Sequence, residues 1–288
     1  MKILVLGASG MLGSRLVPYL IKQGREVLVA GRNHASGIQI DLQDEAATLA
    51  VARSISPDVV INLVGMTDVE RCESHPKEAW RANVRSAENI ANASSAMGKH
   101  LVHLSTDQVY DSTPACVEAS ACPGNQYAMT KYAGELAALS AGASVLRTNF
   151  FGLSPHATRR SLTDWIFAAL KAQQPIKVFD DVRFSPLDMG TVCRMINKVT
   201  EYRQPGVFNL GSHDGMSKAD FAFAFADALA LPTTCFSRVS AKQSGLINTW
   251  RPENMCMNSR HFEASFNVSL PSLQTEIETS AKDYRGHI

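Results

Sequence analysis

Lys2-Ile3-Leu4-Val5-Leu6-Gly7-Ala8-Ser9-Gly10-Met11-Leu12-Gly13 opens the chain with a short apolar run, three evenly spaced glycines and the start of a helical pattern. The apolar positions that follow, Leu16, Val17, Leu20 and Ile21, continue from Leu12 at helical intervals. The order is strand, tight turn, helix. Glycines let the backbone turn sharply there and approach a pyrophosphate, whose charge would rest on the N–H groups and positive dipole of the helix N-terminus. An ordinary strand-to-helix turn is the competing reading, and the flanking pattern weighs against it. Gly7, Gly10 and Gly13, with Met11 and Leu12 between them, are therefore candidate cofactor-binding residues.

Working outward, strand-like runs at 26–30, 58–64, 101–104 and 144–146 alternate with helical patterns at 43–54, 77–97 and 127–140. Continuous apolar strands are those buried on both faces, so the repeating unit is β-α-β around a parallel sheet. The expected fold class is α/β, a Rossmann-type doubly wound parallel sheet with a smaller C-terminal substrate-binding lobe. Ligands of such sheets bind beyond the carboxyl ends of the strands, where Gly7, Gly65 and Thr106 all fall. After Thr148 the texture changes, with Pro155, the basic Arg159-Arg160 and a helical pattern over 162–172. Residues 206–210 read as a strand returning to the sheet, and Ser217 with Asp220 caps a helix through Leu229. The expected division is residues 1–150 for the dinucleotide half, rejoined by about 186–215, and 151–288 for a discontinuous substrate lobe.

At 288 residues the chain can bury a substantial core. A formal charge of +1 offers no basic field for nucleic acid, so a small molecule is the expected partner, and a homodimer stays open. No apolar run approaches the roughly 20 residues of a membrane span, and no secretory signal pattern stands at the start. Six cysteines without a C-x-x-C, and eight histidines without ligand spacing, predict buried thiols, no metal site and a reducing, cytoplasmic location.

Tyr127 and Lys131, four apart in a predicted helix, face the same way, and Ser105-Thr106-Asp107 ends the strand before them. A free phenol is a poor proton donor at neutral pH, and an adjacent cation is expected to favour the phenolate. A chance pair on a solvated helix is the alternative; the glycine turn makes it less apt. At the second strand's end, Val29-Ala30-Gly31-Arg32 offers a guanidinium and no carboxylate. That favours a 2′-phosphate over a bare ribose, hence NADP(H), with NADH left open and Arg32 alternatively a solvated surface residue.

These motifs resemble the extended short-chain dehydrogenase/reductase family from Met1 to about Phe266. Gly7-Ala8-Ser9-Gly10-Met11-Leu12-Gly13, Ser105-Thr106-Asp107-Gln108-Val109-Tyr110, Tyr127-Ala128-Met129-Thr130-Lys131 and Arg251-Pro252-Glu253-Asn254 with Asn258-Ser259 are most similar to its dTDP-4-dehydrorhamnose reductase branch. The resemblance implies hydride delivery from reduced nicotinamide to the 4-keto group of a nucleotide-linked 6-deoxysugar. Tyr127 would give the proton, Thr106 would steady the developing oxyanion, and Lys131 would also hold the ribose. Asp41-Leu42 resembles the adenine-contacting pair, with a turn aspartate a compatible second role. Leu63, Val64 and Gly65 stand where the family's chain passes the cofactor, and Asn83 has an expected structural role behind the site. Asp107 either touches substrate or caps the strand end. Phe150 stands where the reductases commonly carry Trp, which leaves the exact sugar open, and the Arg251 motif resembles the sugar-nucleotide end. Arg183 suits a diphosphate or an exposed loop. Gln108 argues against a 4,6-dehydratase, because an amide cannot serve as the base next to Asp107. His103 reads as a sheet-buried histidine. Other keto reductions or epimerisations of nucleotide sugars remain open, as does a non-catalytic regulatory protein resembling the methionine adenosyltransferase β subunit, which shares the fold and the Arg-Pro motif.

Overall fold

The structure, a computed structural model, describes residues 1–32, 37–111, 116–156 and 159–287. Alternation along β1 (Lys2–Leu6) sends Ile3 and Val5 to one face of the sheet and Leu4 and Leu6 to the other, all four buried. The chain continues through α1 (Met11–Lys22), β2 (Glu26–Gly31), β3 (Ile38–Gln39), α2 (Glu45–Ile55), β4 (Val59–Asn62), α3 (Val69–Ser74), α4 (Pro76–Trp80), α5 (Ser86–Ala96), β5 (His100–Thr106), α6 (Gln126–Ser140) and β6 (Ser144–Thr148). Beyond them come β7 (Phe150–Phe151), α7 (Leu162–Ala172), β8 (Ile176–Phe179), β9 (Arg183–Phe184), β10 (Leu187–Asp188), α8 (Met189–Tyr202) and β11 (Gly206–Leu210). The last elements are β12 (Met216–Ser217), α9 (Lys218–Ala228), β13 (Phe236–Val239), α10 (Ala241–Ser244), β14 (Asn254–Met255), α11 (Arg260–Phe266) and α12 (Leu273–Arg285).

Seven parallel strands order as β11-β6-β5-β4-β1-β2-β3, so the winding reverses between β1 and β4 and opens a crevice at their carboxyl ends. Leu16, Leu20, Val192, Ile196, Phe262 and Phe266 from α1, α8 and α11 cover one face. Ile55, Ile90, Ala91 and Ala138 from α2, α5 and α6 cover the other. This is the doubly wound sheet expected from the alternating pattern, and residues 206–210 do return to it, beside β6. A separate apolar core joins α7, α9 and α12 through Ile166, Phe221, Phe225, Ile277 and Tyr284, with Phe151 edge-on to Phe221 at 4.8 Å. No helix among the described residues is long and apolar enough to cross a membrane.

The expected helix over 77–97 runs without interruption as α4, a π-helical turn at Arg81–Arg85, and α5. The wide turn carries Asn83, whose Oδ1 accepts from the Met66 N–H at 2.7 Å and whose Nδ2 donates to the Met66 carbonyl at 3.1 Å and to Thr130 Oγ1 at 3.0 Å. These bonds tie the loop after β4 to α6. Helix α2 starts at Glu45 rather than Gln43, because Asp44 is its cap and accepts from the Ala47 N–H. Ile21 is 56% exposed at the end of α1, where the apolar stripe has rotated past the sheet. Cys122 is exposed, contrary to the expectation of buried thiols, while Cys72, Cys116, Cys193 and Cys235 are buried. Helices α8, α11 and α12 occupy stretches with no helix expected; the buried Leu273, Ile277, Ala281 and Tyr284 recur at helical spacing and carried the missed signal for α12.

Candidate active site

Gly7 closes β1 with a φ of +86°, and a Cβ there would stand 3.0 Å from the Leu63 carbonyl carbon, so both conformation and space require glycine. At Gly13 a Cβ would lie 2.5 Å from the Gly7 carbonyl oxygen, which brings α1 directly against the turn. Side chains cap α2, α6 and α9 through Asp44, Asn125 and Ser217, whereas α1 begins on Gly10 with no side-chain cap and no acidic residue in its first turn. The positive helix end is thus left for an external anion.

Two adjoining cavities spread from that turn. The larger, about 510 Å³, is walled by Gly7, Gly10, Met11, Leu12, Gly13, Leu63, Gly65, Thr106, Asp107, Tyr127, Lys131 and Phe150. The second, about 340 Å³, shares Gly7, Gly10, Leu63 and Gly65 with it and adds Arg32, Asp41, Leu42 and Val64. Asp41 Oδ1 also accepts from the Gln43 N–H at 3.0 Å, so its turn role and its place in the wall coexist. Arg159, which the sequence reading noted only as basic, walls both cavities and donates to the Ser9 carbonyl at 2.8 Å.

Thr106, Tyr127 and Lys131 are buried side by side, since α6 packs along β5. Lys131, expected to favour the phenolate, is not among the groups that shift the Tyr127 phenol. Its Nζ donates to the Leu104 carbonyl at 2.6 Å, and the groups acting on Tyr127 are burial, Thr106, Asp107 and Cys72. Burial pushes the phenol above its ordinary range, the carboxylate of Asp107 adds to that, and a hydrogen bond with the Thr106 hydroxyl opposes it. Tyr127 is therefore a firmly protonated donor at neutral pH. Burial also lowers Lys131, to about 8, against the pull of Glu135. Asp107 is raised to about 6 by burial, although Asn149 Nδ2 donates to it at 2.7 Å and the Lys218 cation is near. His103 lies buried in the sheet, its Nδ1 3.0 Å from Asn62 Nδ2, as expected.

The remaining candidates separate. Arg251 lines a third cavity of about 210 Å³, with Gln108, Phe179, Lys218, Lys242 and Trp250 among its walls, and its guanidinium is held by Glu70 at 3.1 Å. Gln108 walls both this cavity and the largest one, and its buried Oε1 has no hydrogen-bond partner among the described residues. Arg183 walls none of the three; its guanidinium donates to the Gly215 carbonyl at 2.7 Å, at an exposed edge. Lys218, at the start of α9, lines the third cavity. It was read only as the start of a helix, and nothing in its local sequence distinguishes it from a surface lysine.

The family model described as RmlD substrate binding domain matches residues 1–285. The chain is similar to the probable low-salt glycan biosynthesis reductase Agl14 of Haloferax volcanii, 25% identical over 97% of this chain and 98% of that protein. It is also similar to the methionine adenosyltransferase 2 subunit beta of Xenopus laevis, 28% identical over 88% of this chain and 80% of that protein. The crystal structure of dTDP-4-dehydrorhamnose reductase from Bacillus anthracis, in complex with NADP, superposes with a TM-score of 0.89 at 22% identity, covering 98% and 99% of the two chains.

Proposed function

The chain belongs to the RmlD substrate binding domain family, and from that premise we propose that it is an NADPH-dependent reductase of the 4-keto group of a nucleotide-linked 6-deoxysugar, similar to dTDP-4-dehydrorhamnose reductase. The observation that carries the reading is a row of three cavities with shared walls. The glycine turn shares a cavity with Thr106, Tyr127 and Lys131, and Gln108 lines both that cavity and a pocket with Lys218, Arg251 and Trp250. Cations beside an indole suit a nucleoside diphosphate. The uncapped end of α1 and the glycine cradle suit a dinucleotide pyrophosphate, and Arg32 beside Asp41 and Leu42 suits a 2′-phosphate on its adenosine end. The nicotinamide, when bound, supplies the hydride.

The side chains supply the rest. As charge grows on the carbonyl oxygen, Thr106 steadies it and Tyr127 delivers the proton that burial has kept on the phenol. Lys131, in the wall of the same cavity, would hold the nicotinamide ribose. Residues 151–288 serve as the discontinuous lobe that carries the sugar nucleotide, and residues 1–150, rejoined by about 186–215, as the cofactor half, with α11 also packed on the sheet.

The test is loss of NADPH absorbance with dTDP-, GDP- and UDP-linked 4-keto-6-deoxysugars, with identification of the product. Consumption with one of them, and no dehydration of dTDP-glucose, is the expected result. A second reading has a specific support, the 28% identity to a methionine adenosyltransferase subunit: a non-catalytic, dinucleotide-binding regulatory subunit. NADPH that binds but is consumed with none of the sugars favours it.

A further inference from the structure

Glu135 and Arg147 form the driest ion pair among the described residues, their side chains 0% and 2% exposed, with Arg147 Nη2 donating to Glu135 Oε2 at 2.7 Å. Arg147 Nε donates to both carboxylate oxygens, at 3.0 and 3.1 Å, and Ser105 Oγ donates to Oε1. On its other side the guanidinium donates to the Tyr110 hydroxyl at 3.0 Å and the Glu118 carbonyl at 2.8 Å, and Tyr110 donates to Asn209 Oδ1 at 2.5 Å. One carboxylate on α6 is thereby tied to β5, β6 and β11. Stability alone does not account for such a pair, because a buried ion pair is often no better than apolar side chains of the same volume.

Its position does. Glu135 follows Lys131 by four residues on α6, so the two stand on one face a turn apart. Lys131 has no carboxylate within ion-pair distance among the described residues, and its one hydrogen bond goes to the Leu104 carbonyl. The groups around it are His103 from β5, Tyr127 from its own helix, Asp107 after β5, Cys72 of α3 behind the phenol, Arg147 of β6 behind Glu135, and the uncharged Asn83 of the π-helical turn. Of these, Glu135 is the charge that acts on the amine.

Resting on the reading of Lys131 as part of the active site, we propose that Glu135, clamped by Arg147 and Ser105 one turn along the same face of α6, is a positioning residue whose fixed negative charge supports the Lys131 ammonium at the cavity wall. Burial already draws Lys131 down to about 8 with Glu135 present, so loss of that charge takes it further into the neutral range.

The direct readout is the Lys131 titration in full-length protein carrying ¹³Cε-lysine, its resonance identified by its loss in Lys131→Met. Glu135→Gln is expected to lower the midpoint by about one pH unit, a tenfold loss of proton affinity. Glu135→Asp keeps the midpoint. The double variant Glu135→Gln with Arg147→Met leaves neither ionic group bare and lowers the midpoint as well, so it decides the matter if the single variant fails to fold. A native circular dichroism spectrum with an unmoved midpoint overturns the proposal and leaves the pair a merely structural one. The functional reading fails separately: a wild type that reduces none of the keto sugars, with the midpoint still moving in Glu135→Gln, refutes the reductase and leaves the positioning intact. In an active enzyme the alkaline limb of kcat/KM moves with the midpoint.

Discussion

Replacing Asp107 with Asn is expected to stabilise the protein at neutral pH while harming the site. The carboxyl is 1% exposed, and burial raises it from 3.8 to about 6. A raised acid favours folding fully below its unfolded value and loses that contribution as pH climbs through its folded value. The window here is about pH 4 to 6, and above it the ionised form costs about 3 kcal/mol, from about 2 units at 1.36 kcal/mol each. The amide fits the same contacts. Its oxygen can accept from Asn149, which now donates to Asp107 Oδ2 at 2.7 Å, and its NH₂ can donate to Thr106 Oγ1, now 3.2 Å from Oδ1. Asp107→Asn should therefore exceed the wild type by about 3 kcal/mol near pH 8 and only about 1 kcal/mol near pH 4.5. Urea unfolding of both proteins across that range gives the difference, in which other titrating groups cancel. A difference that is flat with pH, or that shrinks as pH rises, refutes the reasoning. The Asp107 charge would then be solvated or paired in the folded state.

Arg32→Ala should weaken NADPH by about 1.5–3 kcal/mol, the worth of a charge-assisted contact, and leave NADH nearly unchanged in a binding titration; equal loss for both removes Arg32 from the 2′-phosphate site. Tyr127→Phe should fold and bind NADPH, yet reduce keto sugar roughly 10²–10⁴-fold more slowly, and wild-type turnover would remove it as the acid. Gly13→Ala puts a methyl 2.5 Å from the Gly7 carbonyl oxygen, backbone that cannot give way as a side chain would. It should lower stability by about 1–3 kcal/mol in thermal unfolding and abolish tight NADPH binding. Lys218→Ala should raise KM for the nucleotide sugar with NADPH affinity intact; an unchanged KM disconnects the third cavity from the substrate.

Local order was legible because it depends on near neighbours. The run 2–6 with Gly7, Gly10 and Gly13 specified a strand, a turn and a helix, and the alternation of apolar runs specified a parallel sheet with helices on both faces. The four-residue spacing of Tyr127 and Lys131 put both at one cavity, since a helix face is set by periodicity alone. What those side chains are in electrostatic terms came only from tertiary packing. Burial of Tyr127 raised the phenol, and the reach of Lys131 to Leu104, 27 residues away, set where its ammonium is bonded. The π-helical turn within 77–97 carries Asn83, which bonds Met66 and Thr130, partners no window of local sequence contains. Arg183 and Lys218 look alike in the sequence, and their difference is that β9 turns one to the exposed edge while α9 starts the other beside a cavity. Desolvation and charge are set by what lies within a few ångströms in space. Residues 135 and 147, or 70 and 251, become neighbours only when the sheet and its covering helices have closed around them.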